Sequence, residues 1–260
     1  MNRSDAVADN KRVRAPRAGQ GADEGYSLRN AVAFGWNSIS GSLIPDRVQL
    51  LEKYAVGRSV LDAGCGGGGF VDHLVEHGFE ATGLDKHAMF LAVARERGFR
   101  GAFVQADLAS PLPFADGSFD TTICFDVLEH VADDAQTLRE LARITERRLI
   151  LAVPQEDRWM PNYRLSFYPY RDPTHVRYYT PESLRALAES VCIESAQVFG
   201  EQRILLRELA SDLIHPRSRY PCLSRVYQRV FDFLVARGHE STLYMNLAAV
   251  IDLRPSTRRR

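Results

Sequence analysis

Between Arg58 and Val153 short apolar runs alternate with stretches in which apolar residues recur every three or four positions. The runs predict strands over Arg58–Ala63, Phe79–Asp85, Gly101–Ala106, Phe119–Phe125 and Arg148–Val153. The helical spacing predicts helices over Phe70–His77, Ala88–Arg97 and Ala135–Thr145, the first two stopped by Gly78 and Gly98. Alternation of this kind specifies an α/β, Rossmann-like doubly wound sheet with helices on both faces. Cys192–Phe199 and Tyr244–Leu253 supply two more strands and bring the sheet to seven.

The flanks are patterned differently. Residues 1–25 mix charges with Gly, Ala and Pro without a period and are expected to form a disordered tail. Residues 26–260 are expected to form one domain. Within it, 26–54 is read as an N-terminal helical cap, interrupted near Ile44-Pro45. The 155–179 stretch lacks a helical period and carries Trp159, Tyr163, Phe167, Tyr168 and Tyr170 among Arg158, Arg164 and Arg171. It leaves the carboxyl end of the fifth strand, where open α/β sheets bind ligands, and is read as an acceptor-side lid. Thr180-Pro181-Glu182 then opens a helix, with Thr at the N-cap and Pro in the first turn. A helical insertion spans 201–240; its Leu205, Leu206, Leu209, Leu213, Val226, Val230, Phe231 and Leu234 are read as buried core, with a cover over the acceptor pocket or pairing into a homodimer as the alternatives.

Composition narrows the classes. The 260 residues carry 33 basic and 33 acidic side chains, and this zero net charge argues against a general nucleic-acid binder. Only Lys11, Lys53 and Lys86 are lysines; the arginines that fall in the 155–179 loop favour an anionic or flat small-molecule acceptor. No apolar run approaches the ~20 residues of a membrane-spanning helix. The polar N-terminus does not resemble a secretory signal, so a cytoplasmic setting is expected. Cys65, Cys124, Cys192 and Cys222 lack metal-ligand spacing and are read as reduced thiols.

The sharpest local signal is Val60-Leu61-Asp62-Ala63-Gly64-Cys65-Gly66-Gly67-Gly68-Gly69-Phe70, a glycine loop between the first strand and first helix. Glycines there let a ligand approach the backbone. A GxGxxG spacing alone would equally suit a dinucleotide. Asp62, however, precedes the loop, where a carboxylate faces a pyrophosphate unfavourably but can hold an ammonium. Asp85, closing the second strand, can accept hydrogen bonds from a ribose diol. The short-chain oxidoreductase alternative fails, because no lysine has a tyrosine four positions earlier.

These residues carry a family likeness. VLDAGCGGGGF, GLD at Asp85, QADLASPLPFADGSFDTTICFDVLEHV, RLILAVP and DPTHVRYYTPESL resemble the motifs of class I S-adenosylmethionine (SAM)-dependent methyltransferases. The resemblance implies SAM as cofactor and a last strand antiparallel to the rest. It places Asp62, Gly64 and Gly66 at the methionyl part, Asp85 at the ribose hydroxyls, Asp107 and Leu108 at the adenine and Phe125 beside the sulfonium, with Cys65 and Lys86 also among the cofactor-binding residues.

For the chemistry, His175 is read as the general base or acceptor-orienting group, with His130 as a second candidate, since imidazole titrates near neutral pH. Asp126, Glu129 and His130 would share one face if a helix began after the fourth strand. With His175 they could then hold a divalent metal for O-methylation of a vicinal diol or an RNA 3′-terminal ribose. The favoured reading of Asp126–Glu129 is a capping box without metal. A SAM-binding regulatory protein without turnover is the alternative outside enzymes.

Overall fold

The computed structural model describes residues 43–155, 174–191, 193–204 and 243–254, with positions 226, 229, 230 and 233. The expected tail, the cap before residue 43, loop residues 156–173 and most of the insertion lie outside the described residues.

Helix α1 (Pro45–Tyr54) opens with proline in its first turn, where a missing N–H costs nothing. Then follow β1 (Ser59–Ala63), α2 (Gly69–Glu76), β2 (Glu80–Asp85), α3 (Ala88–Glu96), β3 (Ala102–Gln105) and β4 (Phe119–Phe125). A 3₁₀ turn at Leu128–His130 leads to α4 (Asp134–Ile144), β5 (Thr145–Pro154), α5 (Pro181–Glu189), β6 (Ile193–Ile204) and β7 (Leu243–Leu253).

The seven strands form one sheet in the order β3-β2-β1-β4-β5-β7-β6. β1 to β5 pair in parallel, and β7 runs antiparallel between β5 and β6, as the resemblance implied. Period-2 alternation sends Leu149, Leu151 and Val153 of β5 to one apolar cluster and Ile150 and Ala152 to the other. Both faces of the central strands are thus covered, which is why they read as continuous apolar runs. At the edge of the insertion the sequence reading needs correction. β6 continues to Ile204, paired with β7, so residues 201–204 are strand rather than helix. Val226 and Val230 are helical but more than half exposed, not buried core.

Candidate active site

The parallel strands end on one edge, at Ala63, Asp85, Gln105, Phe125 and Pro154, and the predicted site residues gather there. Gly64 and Gly66 take positive φ of 87° and 51° as the chain turns out of β1. A Cβ on Gly64 would meet Val127 Cγ2 at 2.3 Å, so glycine is required for the loop to approach the turn after β4. The Asp85 carboxylate is clamped on both oxygens, by Gly66 N–H at 2.9 Å and His87 N–H at 2.8 Å. Burial raises its pKa, opposed by those two amides.

Asp62 is 3% exposed, and its Oδ2 has no hydrogen-bond partner among the described residues. Desolvation first, and the charge of Asp85 second, push its pKa up to about 7. A buried, unpartnered carboxylate beside a glycine loop suits a ligand cation. The Cys65 side chain is buried over Gly83, with Sγ directed to Gly66 O. Burial first, then the Asp62 and Asp85 charges, push its thiol pKa well up, which disfavours the thiolate.

At the ends of β2 and β3, Lys86, His87, Gln105, Ala106 and Asp107 line an open cleft of about 450 Å³. Asp107 is exposed at its mouth, its Oδ1 accepting Ala109 N–H at 2.9 Å, while Leu108 is buried behind it. Phe125 is buried at the end of β4, edge-on to Phe70 with ring centroids 5.4 Å apart.

The turn after β4 departs from expectation. Asp126 occupies the left-handed region at φ 55°, and only the single 3₁₀ turn follows, without a side-chain cap. Asp126 Oδ1 instead accepts from Arg47 Nη2 at 2.9 Å. The capping box therefore does not form, and Asp126 is drawn away from the other candidate ligands. Glu129, His130 and His175 do converge, one ligand atom from each lying within 4.8 Å of the others. Val176 N–H donates to Glu129 O at 2.8 Å, and His130 Nδ1 lies 3.1 Å from Thr174 Oγ1, which docks residues 174–179 on the turn. Tyr179 completes the strap, bridging to Gln155 and donating to Asp134 at 2.8 Å; Arg177 pairs with the same carboxylate.

Sequence reasoning missed Arg47 and Glu201. Arg47 is fully buried, its guanidinium carbon 5.3 Å from the centre of the Phe125 ring, and it bridges Asp126 and Glu201. Glu201 stands opposite Asn246 in the β6–β7 ladder, and Asn246 opposite Pro154, so it lies at the same strand-end edge. One signal was available: Arg47 precedes Leu50 and Leu51 by one turn and therefore occupies the apolar face of α1.

Residues 61–153 match the family model for a methyltransferase domain. The ubiquinone biosynthesis O-methyltransferase of Sodalis glossinidius is 33% identical over 130 residues, covering 45% of this chain and 52% of that protein. A probable SAM-dependent methyltransferase of Mycobacterium tuberculosis is 34% identical over 143 residues, covering 54% of this chain and 50% of its own. The chain thus spans about half the length of these curated relatives. Among solved structures, Haemonchus contortus phosphoethanolamine N-methyltransferase 2, bound to phosphomonomethylethanolamine and S-adenosylhomocysteine, aligns with a TM-score of 0.60 at 15% identity, covering 90% and 59% of the two chains. A SAM-dependent methyltransferase from Archaeoglobus fulgidus gives 0.57 at 18%, covering 85% and 99%. At such identities the likeness is one of fold. Among the described residues no helix is long and apolar enough to cross a membrane.

Proposed function

We propose that the chain is a SAM-dependent methyltransferase acting on an oxygen of a small-molecule acceptor. The observation that carries this reading is the pair of carboxylates at the glycine loop: Asp62, buried with Oδ2 unpartnered, and Asp85, locked by two backbone amides. Asp62 and the loop would hold the methionyl end, Asp85 the ribose hydroxyls, Asp107 and Leu108 the adenine, with Phe125 walling the transfer side. SAM supplies an electrophilic methyl group on a sulfonium. The chain's own work is alignment and exclusion of water, which can account for much of such a displacement. Oxygen as acceptor atom is supported by the O-methyltransferase relatives. His175, docked beside the turn after β4, takes the role of accepting or orienting the acceptor's proton, with His130 at 4.6 Å between ring centroids.

A second reading rests on the convergence of Glu129, His130 and His175. One carboxylate and two imidazoles suit a divalent metal, which would polarise an acceptor hydroxyl in place of a base. Turnover with a labelled methyl donor on phenol and catechol acceptors tests both. The general-base reading predicts that His175→Ala lowers kcat by about 10²–10⁴ with SAM affinity unchanged, and that a chelator has no effect. Chelator-sensitive turnover restored by magnesium favours the metal. Cofactor binding without transfer to any acceptor or cell extract would leave the regulatory reading standing.

A further inference from the structure

Away from the cleft, His73 in α2 and His77 at that helix's C-cap stand four residues apart, and Glu52 meets them from α1. One ligand atom from each lies within 4.8 Å of the others. We propose that Glu52, His73 and His77 form a binding site for a transition-metal dication of the zinc, copper or nickel class, which staples α1 to α2. The C-cap turn, in which His77 N–H donates to the His73 carbonyl at 3.1 Å, brings the two imidazoles together with ring centroids 4.1 Å apart.

The tautomer of His77 is set by its own helix. Nδ1 lies 2.7 Å from the His73 carbonyl oxygen, which can only accept, so Nδ1 carries the proton and Nε2 keeps its lone pair for a ligand. A ring N–H given to a backbone carbonyl is the usual support of a metal-binding histidine. The nearby acids Asp72 and Glu76 are engaged by Arg100 at 3.2 and 2.7 Å, leaving Glu52 as the carboxylate that closes the set. Two imidazoles and one carboxylate suit zinc, copper or nickel better than the all-oxygen shells of calcium or magnesium. Glu52 and His77 are exposed, which leaves their side chains room to move toward bonding distance.

The site lies on the two helices that flank the candidate active site. α1 carries Arg47 onto Phe125, and α2 begins at the end of the glycine loop. Metal at this site fixes the cap to the loop helix whether or not the chain transfers methyl groups.

Zinc titration of the tag-free full chain, stripped with a chelator and read by competition with a chromogenic indicator, tests the proposal. Wild type is expected to bind an equivalent of zinc that His73→Ala/His77→Ala binds about 100-fold more weakly and that His130→Ala/His175→Ala retains. At a hundred times its dissociation constant, zinc should raise the wild-type Tm by about 5–10 °C and leave that of His73→Ala/His77→Ala unchanged. Equal Tm values of these two proteins in chelator would show that the variant folds. Unchanged zinc affinity in His73→Ala/His77→Ala, or no micromolar zinc binding by wild type, overturns the site.

Discussion

On the glycine-loop side of β4, Gly66 and His87 amides clamp Asp85, and the groups involved all fall between positions 62 and 87. On the other side, Arg47 from α1, Asp126 after β4 and Glu201 from β6 meet across most of the chain's length. The first arrangement is built by backbone over a short stretch of sequence. The second depends on side chains whose positions only the finished fold determines. Under the proposed function, that difference separates a cofactor pocket, with a fixed loop and fixed carboxylates, from an acceptor-side wall made of long-range contacts.

Breaking the Arg47 cluster should give the largest effect. Arg47→Ala leaves the 6%-exposed Glu201 side chain without its cation, and losing one partner of a buried pair costs about 3–5 kcal/mol. Asp126, at 41% exposure, adds little through screened charge. Urea unfolding should show the loss, and Arg47→Met with Glu201→Gln should recover most of it. A loss below about 1 kcal/mol would mean that the cluster is not holding α1.

The cofactor side is sharpened by pH. Asp62 is raised from 3.8 to about 7, so the folded chain binds its proton more tightly than the unfolded chain. That contribution to stability is present below pH 3.8 and is lost as pH rises to about 7. A ligand ammonium needs the carboxylate form, so SAM affinity should increase about tenfold per pH unit up to roughly 7 and then level off. Calorimetry across that range checks the slope, and Asp62→Asn should abolish it; an unchanged slope would move the ammonium elsewhere.

A smaller effect is expected at the strap. Thr180 Oγ1 accepts Ser183 N–H at 3.1 Å, and Ser183 Oγ accepts Thr180 N–H at 2.9 Å. Thr180→Ala should cost about 1 kcal/mol in thermal unfolding and leave cofactor affinity unchanged. A change in affinity would show that the strap and the cofactor half are coupled.

The same division explains what could be read from the chain. The strands from β1 to β5, the glycine loop and the Thr180 cap follow from periodicity and local turn chemistry, which act over a few residues. The family resemblance added the antiparallel β7. Arg47 and Glu201 gave no joint signal, because nothing local marks a helix arginine and a strand glutamate as partners. Asp126 misled for a related reason. Asp at one position and Glu three later match a capping box, but a left-handed turn and the Arg47 charge redirect the carboxylate. Strand β6 outran its prediction because its last residues are held by pairing with β7.

The central claim is that Asp62 and Asp85 make the glycine loop a SAM site. Calorimetric titration of SAM into wild type and Asp85→Ala tests it most directly. One site in wild type and about 100-fold weaker binding in the variant are predicted, as for two hydrogen bonds to a charged group at roughly 1.5 kcal/mol each. Equal affinity in the two proteins, or no binding of SAM by wild type, would contradict it.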